Sequence, residues 1–157
     1  MADAEEALAL RLANREFLAP SDPERDDDYF TLEAQRERLE RSAYGFAILD
    51  GTAIAGVVSL SQVVHGPFCS ANVGYWVDQA RNGRGLATRA VAEVIDLAFR
   101  ELGLHRLEAG TLVDNVASQR VLEKNGFDRI GLARGFLRIA GDWRDFFLFQ
   151  RIADGRG

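Results

Sequence analysis

The chain has 157 residues, 47% apolar and 27% charged, an ordinary composition for a protein with one domain and its own core. A net charge of −5 argues against general nucleic-acid binding, and the single cysteine, Cys69, allows no internal disulfide and fits a reducing, cytoplasmic setting. No apolar run approaches the roughly 18 residues of a membrane span, and the acidic start lacks the basic opening and apolar middle of a signal peptide, so neither membrane nor nucleic acid is an expected partner.

Ala4 to Leu18 sets Ala7, Leu8, Leu10, Leu12 and Phe17 among charges at helical spacing. Two prolines and the acidic run Asp26-Asp27-Asp28 then read as a solvated loop and helix cap. Tyr29 to Ser42 predicts a second, charged helix. Two apolar runs around Asp50-Gly51, from Tyr44 to Val64, predict a β-hairpin. A loop through His65-Gly66-Pro67 leads to a strand, Ser70 to Asp78, rich in aromatic and β-branched residues. Thr88 to Leu102 is amphipathic, with Ala90, Val91, Val94, Ile95, Ala98 and Phe99 on one side and Gly103 at the C-cap position. A strand from His105 to Asp114, a short helix from Asn115 to Asn125 and a final pair of strands around Gly141-Asp142 complete the chain. The order ααββ-β-α-β-α-ββ describes one α/β domain with a mixed sheet, and no repeat or linker interrupts it.

The most informative stretch is Asn82-Gly83-Arg84-Gly85-Leu86-Ala87-Thr88, where a strand hands over to a helix. Glycine adopts backbone angles closed to other residues and lets a ligand approach the main chain. The first turn of a helix leaves N–H groups without partners and carries partial positive charge, so such a junction suits an anion, with Arg81 and Arg84 nearby. It is not a P-loop, because the lysine and its spacing are absent, and it lacks the third glycine of the dinucleotide fingerprint. On spacing alone, a tight structural turn explains it equally well.

Three blocks in order point further. Asn82 to Ala87 resembles the Q/R-x-x-G-x-G/A motif of the GNAT superfamily of acyl-CoA-dependent N-acetyltransferases, departing at Asn82. Asp114 to Phe127, "DNVASQRVLEKNGF", resembles the N-x-x-S-x-x-x-x-E-K-x-G-F segment of the RimJ/RimL-type, ribosomal-protein N-terminal acetyltransferases. Gly141 to Asp145 resembles the G-x-W-x-D strand of the same group, and the likeness runs from about Tyr44 to Ile152. Members of this group usually open with a strand ahead of the first helix; here residues 1–157 enter the helix almost directly.

The resemblance implies a GNAT fold, with two central parallel strands splayed apart around the pantetheine arm of acetyl-CoA, and no metal. It places the backbone of Tyr75, Trp76 and Val77 along that arm, and the N–H groups of Asn82, Gly83, Arg84, Gly85, Leu86, Ala87 and Thr88 at the pyrophosphate. Trp76 serves equally as a core aromatic. Asn115 and Ser118, on one face of the short helix, are implied cofactor contacts, and Ser118 is the implied donor to the departing thiolate; as residues alone, Asn115 is a helix cap and Ser118 a helix-start hydroxyl. The oxygen that gains charge needs a donor, for which a backbone N–H of Tyr75–Val77 is a candidate.

The base is less evident. Many relatives carry a glutamate just before G-Y-W, where this chain has Asn72, which can hold a water but cannot take a proton. His65 is a candidate base in a loop, histidine being the usual proton carrier near neutral pH, while His105 opens a strand and reads as structural. An N-terminal α-amine, with a pKa of about 8, is partly neutral at pH 7 and needs a dedicated base less than a lysine at about 10.4. The expected acceptor is therefore a protein N-terminal amine, with small amines such as polyamines or antibiotics as an alternative. Substrate choice is expected to lie in the N-terminal helices, the "VVHGPFCS" loop and the final hairpin. A non-catalytic acyl-CoA-binding module and a nucleotide-binding protein stay open on these residues, as does the oligomeric state, a homodimer included.

Overall fold

In a computed structural model, residues 2–41 and 43–154 are described. They form the helices α1 (Ala2–Ala13), α2 (Arg15–Leu18), α3 (Leu32–Arg41), α4 (Leu86–Asp96) and α5 (Val116–Lys124), and the strands β1 (Gly45–Asp50), β2 (Ala53–Val64), β3 (Ser70–Val77), β4 (Arg106–Leu112), β5 (Asp128–Ile139) and β6 (Asp142–Ile152). The strands make one six-stranded sheet in the order β1-β2-β3-β4-β6-β5. All neighbours are antiparallel except β3 and β4. Among the described residues no strand precedes α1, and β1 forms the sheet edge.

The central pair positions everything else. β3 and β4 are joined only at Ser70↔Arg106, Ala71↔Leu107 and Asn72↔Glu108. Beyond Asn72, β3 stays paired with β2 as far as Val77↔Gly56, while β4 stays paired with β6 as far as Leu112↔Phe146. The two strands therefore part like a V. Gly56 makes this possible: a Cβ there would collide with the carbonyl oxygen of Trp76 and lie 2.9 Å from Val77 Cα. Only glycine lets β2 hold β3 so closely where β3 leaves β4.

Side chains alternate between two faces. On one, Ala71, Val73 and Val77 join Leu107, Ala109 and Phe149 under the apolar stripe of α4, Val91, Val94, Ile95 and Ala98. The helix begins at Leu86, two residues before its expected start, because Leu86 itself anchors in this core. It ends in a single π-helical turn, Leu97–Glu101, with Gly103 at φ +63 closing it as expected. On the other face Arg11 of α1 lies 5.1 Å above the Trp76 ring.

The expected first helix is broken at Asn14, for a physical reason. The Asn14 side chain donates to the Leu10 carbonyl (2.9 Å) and to Asp78 Oδ1 (3.1 Å), and accepts from the Gln79 backbone N–H (2.9 Å). A buried amide that meets its hydrogen bonds across the chain fixes the helix break to the loop that follows β3. The second helix starts later than expected, at Leu32, after a 3₁₀ turn at Asp27–Phe30. Thr31, not the aspartate run, caps it, its hydroxyl accepting from Ala34 N–H at 3.2 Å. Ser42, the expected last residue, lies outside the described residues. Both hairpins turn where expected, within one residue: at Gly51-Thr52, and at Ala140-Gly141 with positive φ at both positions.

Candidate active site

The glycine segment forms the N-terminus of α4. Gly83 and Gly85 sit at φ +78 and +74, and a Cβ on either would meet open space. The glycines serve the backbone path, and the space beside each is open to a ligand. Gly85 is the N-cap and brings no capping side chain, so the first N–H groups of α4 point outward. The backbone alone of Leu86 can contribute, since its side chain is 4% exposed and belongs to the core.

The two arginines here are already engaged. Arg84 Nη1 lies 2.7 Å from Asp50 Oδ2 at the β1–β2 turn. Arg81 Nε lies 3.6 Å from the same oxygen, and its Nη1 donates to the Ile54 carbonyl at 2.7 Å. Arg81 thus ties the hairpin to the loop. Arg84, 58% exposed, is the cation beside the cradle with freedom to turn.

α5 faces the cradle across the splay. Asn125, buried at its end, donates to the Thr88 carbonyl at 3.1 Å and locks α5 to the first turn of α4. At the other end Asn115 caps the helix, Oδ1 accepting from Ser118 N–H at 3.2 Å. The Tyr75 hydroxyl reaches Ser118 from β3, donating to its carbonyl at 3.0 Å and lying 2.8 Å from its Oγ. Burial pushes the Tyr75 phenol up to about 12, against a smaller opposite pull from the Ser118 hydrogen bond. Tyr75, expected to act through its backbone, thus also brings a neutral hydroxyl to Ser118. On the opposing edge Thr111 is 3% exposed and its Oγ1 has no hydrogen-bond partner among the described residues. An orphaned buried hydroxyl invites a ligand atom, and Thr111 lies where β4 has lost β3.

The three expected catalytic residues are not together. Ser118 stands on the α4–α5 face, at Tyr75. Asn72 turns to the opposite face and donates to Gln62 Oε1. His65 is exposed in the β2–β3 loop, beyond the Ser70 end of β3, and the strand separates that end from Tyr75 by about 16 Å. Trp76 is half-buried beneath Arg11, on the same face as Asn72. Thr111, the Tyr75 hydroxyl and Glu108, which pairs with Asn72 at the vertex of the V, join this region without any local mark of their own in the sequence. Gly110, a glycine inside a strand, was the available sign that something approaches β4 there.

These features suit coenzyme A: an uncapped helix start beside open glycines for the pyrophosphate, an unpaired strand edge for the pantetheine amides, and hydroxyls at the end of that track. Comparison with known proteins agrees. Residues 1–128 match the acetyltransferase (GNAT) domain family. A probable N-acetyltransferase of Bacillus subtilis, YjcK, is 45% identical over 153 residues, covering 91% of this chain and 84% of its own length. The uS5-alanine N-acetyltransferase of Escherichia coli is 33% identical over 145 residues, covering 86% and 75%. Among solved structures, the ribosomal-protein-S5-alanine acetyltransferase of Vibrio fischeri superposes with a TM-score of 0.92 at 34% identity, over 98% of this chain and 89% of that one. RimJ of Mycobacterium smegmatis, in complex with a CoA disulfide, superposes at 0.88 with 29% identity, over 98% and 78%. The splayed sheet, the glycine cradle and these likenesses agree: the chain belongs to the GNAT family and is an acetyl-CoA-dependent acetyltransferase.

Proposed function

We propose that the enzyme acetylates the α-amine at a protein N-terminus. The observation that carries this is its likeness, over most of the chain, to two proteins named for acetylating the alanine of ribosomal protein S5. The acid–base chemistry agrees. An α-amine with a pKa of about 8 is roughly one-tenth neutral at pH 7, whereas a lysine at about 10.4 is neutral in fewer than one molecule in a thousand.

Acetyl-CoA supplies the acyl group in activated form. The N–H groups from Asn82 to Thr88 hold its pyrophosphate, with Arg84 turning from Asp50 to add charge. The open edge of β3 from Tyr75 to Val77 pairs with the pantetheine amides, and an N–H of that edge donates to the carbonyl oxygen as it gains charge. Asn115 caps α5 and so fixes Ser118, whose hydroxyl donates to the sulfur. With its single proton on the Ser118 carbonyl, Tyr75 accepts from Ser118 Oγ. When the serine proton turns to the sulfur, the phenol donates to Oγ in its place. Asn72 holds a water on the acceptor side, and His65 lies in the loop expected to meet the acceptor rather than at the reacting atoms.

The test is thiol release from acetyl-CoA against peptides beginning with alanine or serine, polyamines and aminoglycosides. Release with the peptides, and products heavier by one acetyl group at the N-terminus, is the expected result. Release with polyamines or aminoglycosides alone would overturn the assignment of acceptor.

A further inference from the structure

On the face opposite α4 the V opens over two glycines. Gly74 on β3 and Gly110 on β4 lie just beyond the last paired residues, Asn72 and Glu108, and both are exposed. Neither parting strand thus raises a side chain over the point of divergence. A Cβ at Gly110 would lie 3.3 Å from the Phe146 ring and 3.7 Å from Phe136, so aromatic side chains flank the opening on the β4 side. Its closed end is polar. Gln62, at φ +50 in a bulge of β2, accepts a hydrogen bond from Asn72. A left-handed, non-glycine residue held by its side chain is a sign of a functional constraint.

Glu108 is the carboxylate at that closed end. Paired residues project from the same face, so Glu108 stands beside Asn72 on one side and Gln150 of β6 on the other. Neither neighbour titrates. Arg106, also on this face, donates to Glu108 Oε1 at 2.6 Å and to Gln150 Oε1 at 2.8 Å, and among the described residues it is the charged partner of Glu108. The arginine engages one carboxylate oxygen and leaves the Glu108 side chain 34% exposed. A negative group is thus fixed beside the vertex, on the face away from Ser118, where an acceptor can approach without crossing the cofactor track.

We propose that Glu108 receives the acceptor amine: its carboxylate holds the incoming ammonium at the vertex of the V and takes the proton the amine must lose. The proton passes from R–NH3⁺ to the carboxylate and frees the nitrogen lone pair. The C–N bond then forms and the C–S bond breaks, its electron pair going to sulfur. Sulfur takes a proton from Ser118, which the second nitrogen proton replaces, and Glu108 returns its own proton to water. One proton is released for each acetyl group moved. The inference rests on the chain being an amine acetyltransferase and holds for whichever amine it uses.

The test compares steady-state rates of Glu108→Gln, Glu108→Asp and Arg106→Gln with the native enzyme, using the panel amine that the native enzyme turns over. A native enzyme that prefers polyamines would sink the choice of acceptor and leave this test intact. Glu108→Gln is expected to lower kcat/KM for the amine about 100-fold with KM for acetyl-CoA unchanged. Its residual rate should climb about tenfold per pH unit below the amine pKa, because only amine already neutral in solution then reacts. Arg106→Gln breaks the same ion pair but keeps the carboxylate, and should lose less than about tenfold; Glu108→Asp should recover part of what Glu108→Gln loses. Equal losses in Arg106→Gln and Glu108→Gln would make the pair structural and overturn the proposal. So would a Glu108→Gln rate within about twofold of native, or no recovery in Glu108→Asp, the variant that decides if Glu108→Gln does not fold.

Discussion

The two faces of the splayed sheet are built by different means. On the α4–α5 face the groups proposed for the donor are mostly backbone: helix N–H groups, glycines at positive φ and an unpaired strand edge, with the hydroxyls of Tyr75 and Ser118 in contact beside them. On the opposite face the groups proposed for the acceptor are side chains: strand register sets Asn72 beside Glu108 and Glu108 beside Gln150, and α1 brings Arg11 above Trp76. A donor shared by a whole family can be held by main-chain geometry, which tolerates changes such as Asn82 at the head of the motif. An acceptor particular to one enzyme needs side chains that can vary without disturbing the donor site.

The largest expected effect comes from closing the V that separates the faces. Gly56→Val puts atoms into the Trp76 carbonyl and the Val77 backbone, where no side chain can move aside. It should lower stability by about 3 kcal/mol or more in urea unfolding and remove activity with it, since both sites depend on the divergence of β3. A fully stable, active variant would show that β2 and β3 need not approach so closely.

Ser118→Ala sharpens the comparison on the donor side. It should reduce kcat about 100-fold for every amine alike, with little change in acetyl-CoA affinity. Unchanged turnover would remove Ser118 from the reaction and leave the sulfur to another donor.

The smallest effect is read from pH. The native fold holds the Tyr75 phenol protonated up to about 12, above its ordinary value of 10.0. A folded-state value raised in this way stabilises fully below pH 10, and the stabilisation is lost as pH rises from about 10 to about 12, amounting to about 2–3 kcal/mol. Unfolding midpoints of native enzyme and Tyr75→Phe, followed from pH 9 to 12, should converge over that interval. Parallel curves would show the phenol to be far less enclosed.

The contrast between faces also explains what could be read from the chain itself. The strands, the hairpin turns, α4 and the cradle are local: glycines, periodicity and a strand–helix junction lie within about twenty consecutive residues, and the structure returned them nearly as expected. The break at Asn14 was not visible, because its partners Asp78 and Gln79 lie far along the chain, and an Asn in a helical pattern carries no mark of them. Glu108 escaped for the same reason: it becomes a neighbour of Asn72 only when two distant strands pair in parallel. His65 is marked by residue type and by its loop; the loop is where expected, but it lies at the Ser70 end of β3, away from Ser118. The sequence pattern marks Tyr75 for its main chain, while its hydroxyl meets Ser118, 43 residues further along the chain, which no local pattern reveals.

The division between the faces is tested most directly by titrating acetyl-CoA, without amine, into native enzyme, Gly85→Ala and Glu108→Gln in a calorimeter. Alanine at φ +74 costs about 1–2 kcal/mol and bends the cradle, so Gly85→Ala should bind acetyl-CoA about tenfold more weakly or worse, while Glu108→Gln binds it like native enzyme. Native affinity in Gly85→Ala together with weakened binding in Glu108→Gln would place the donor on the wrong face and contradict the account.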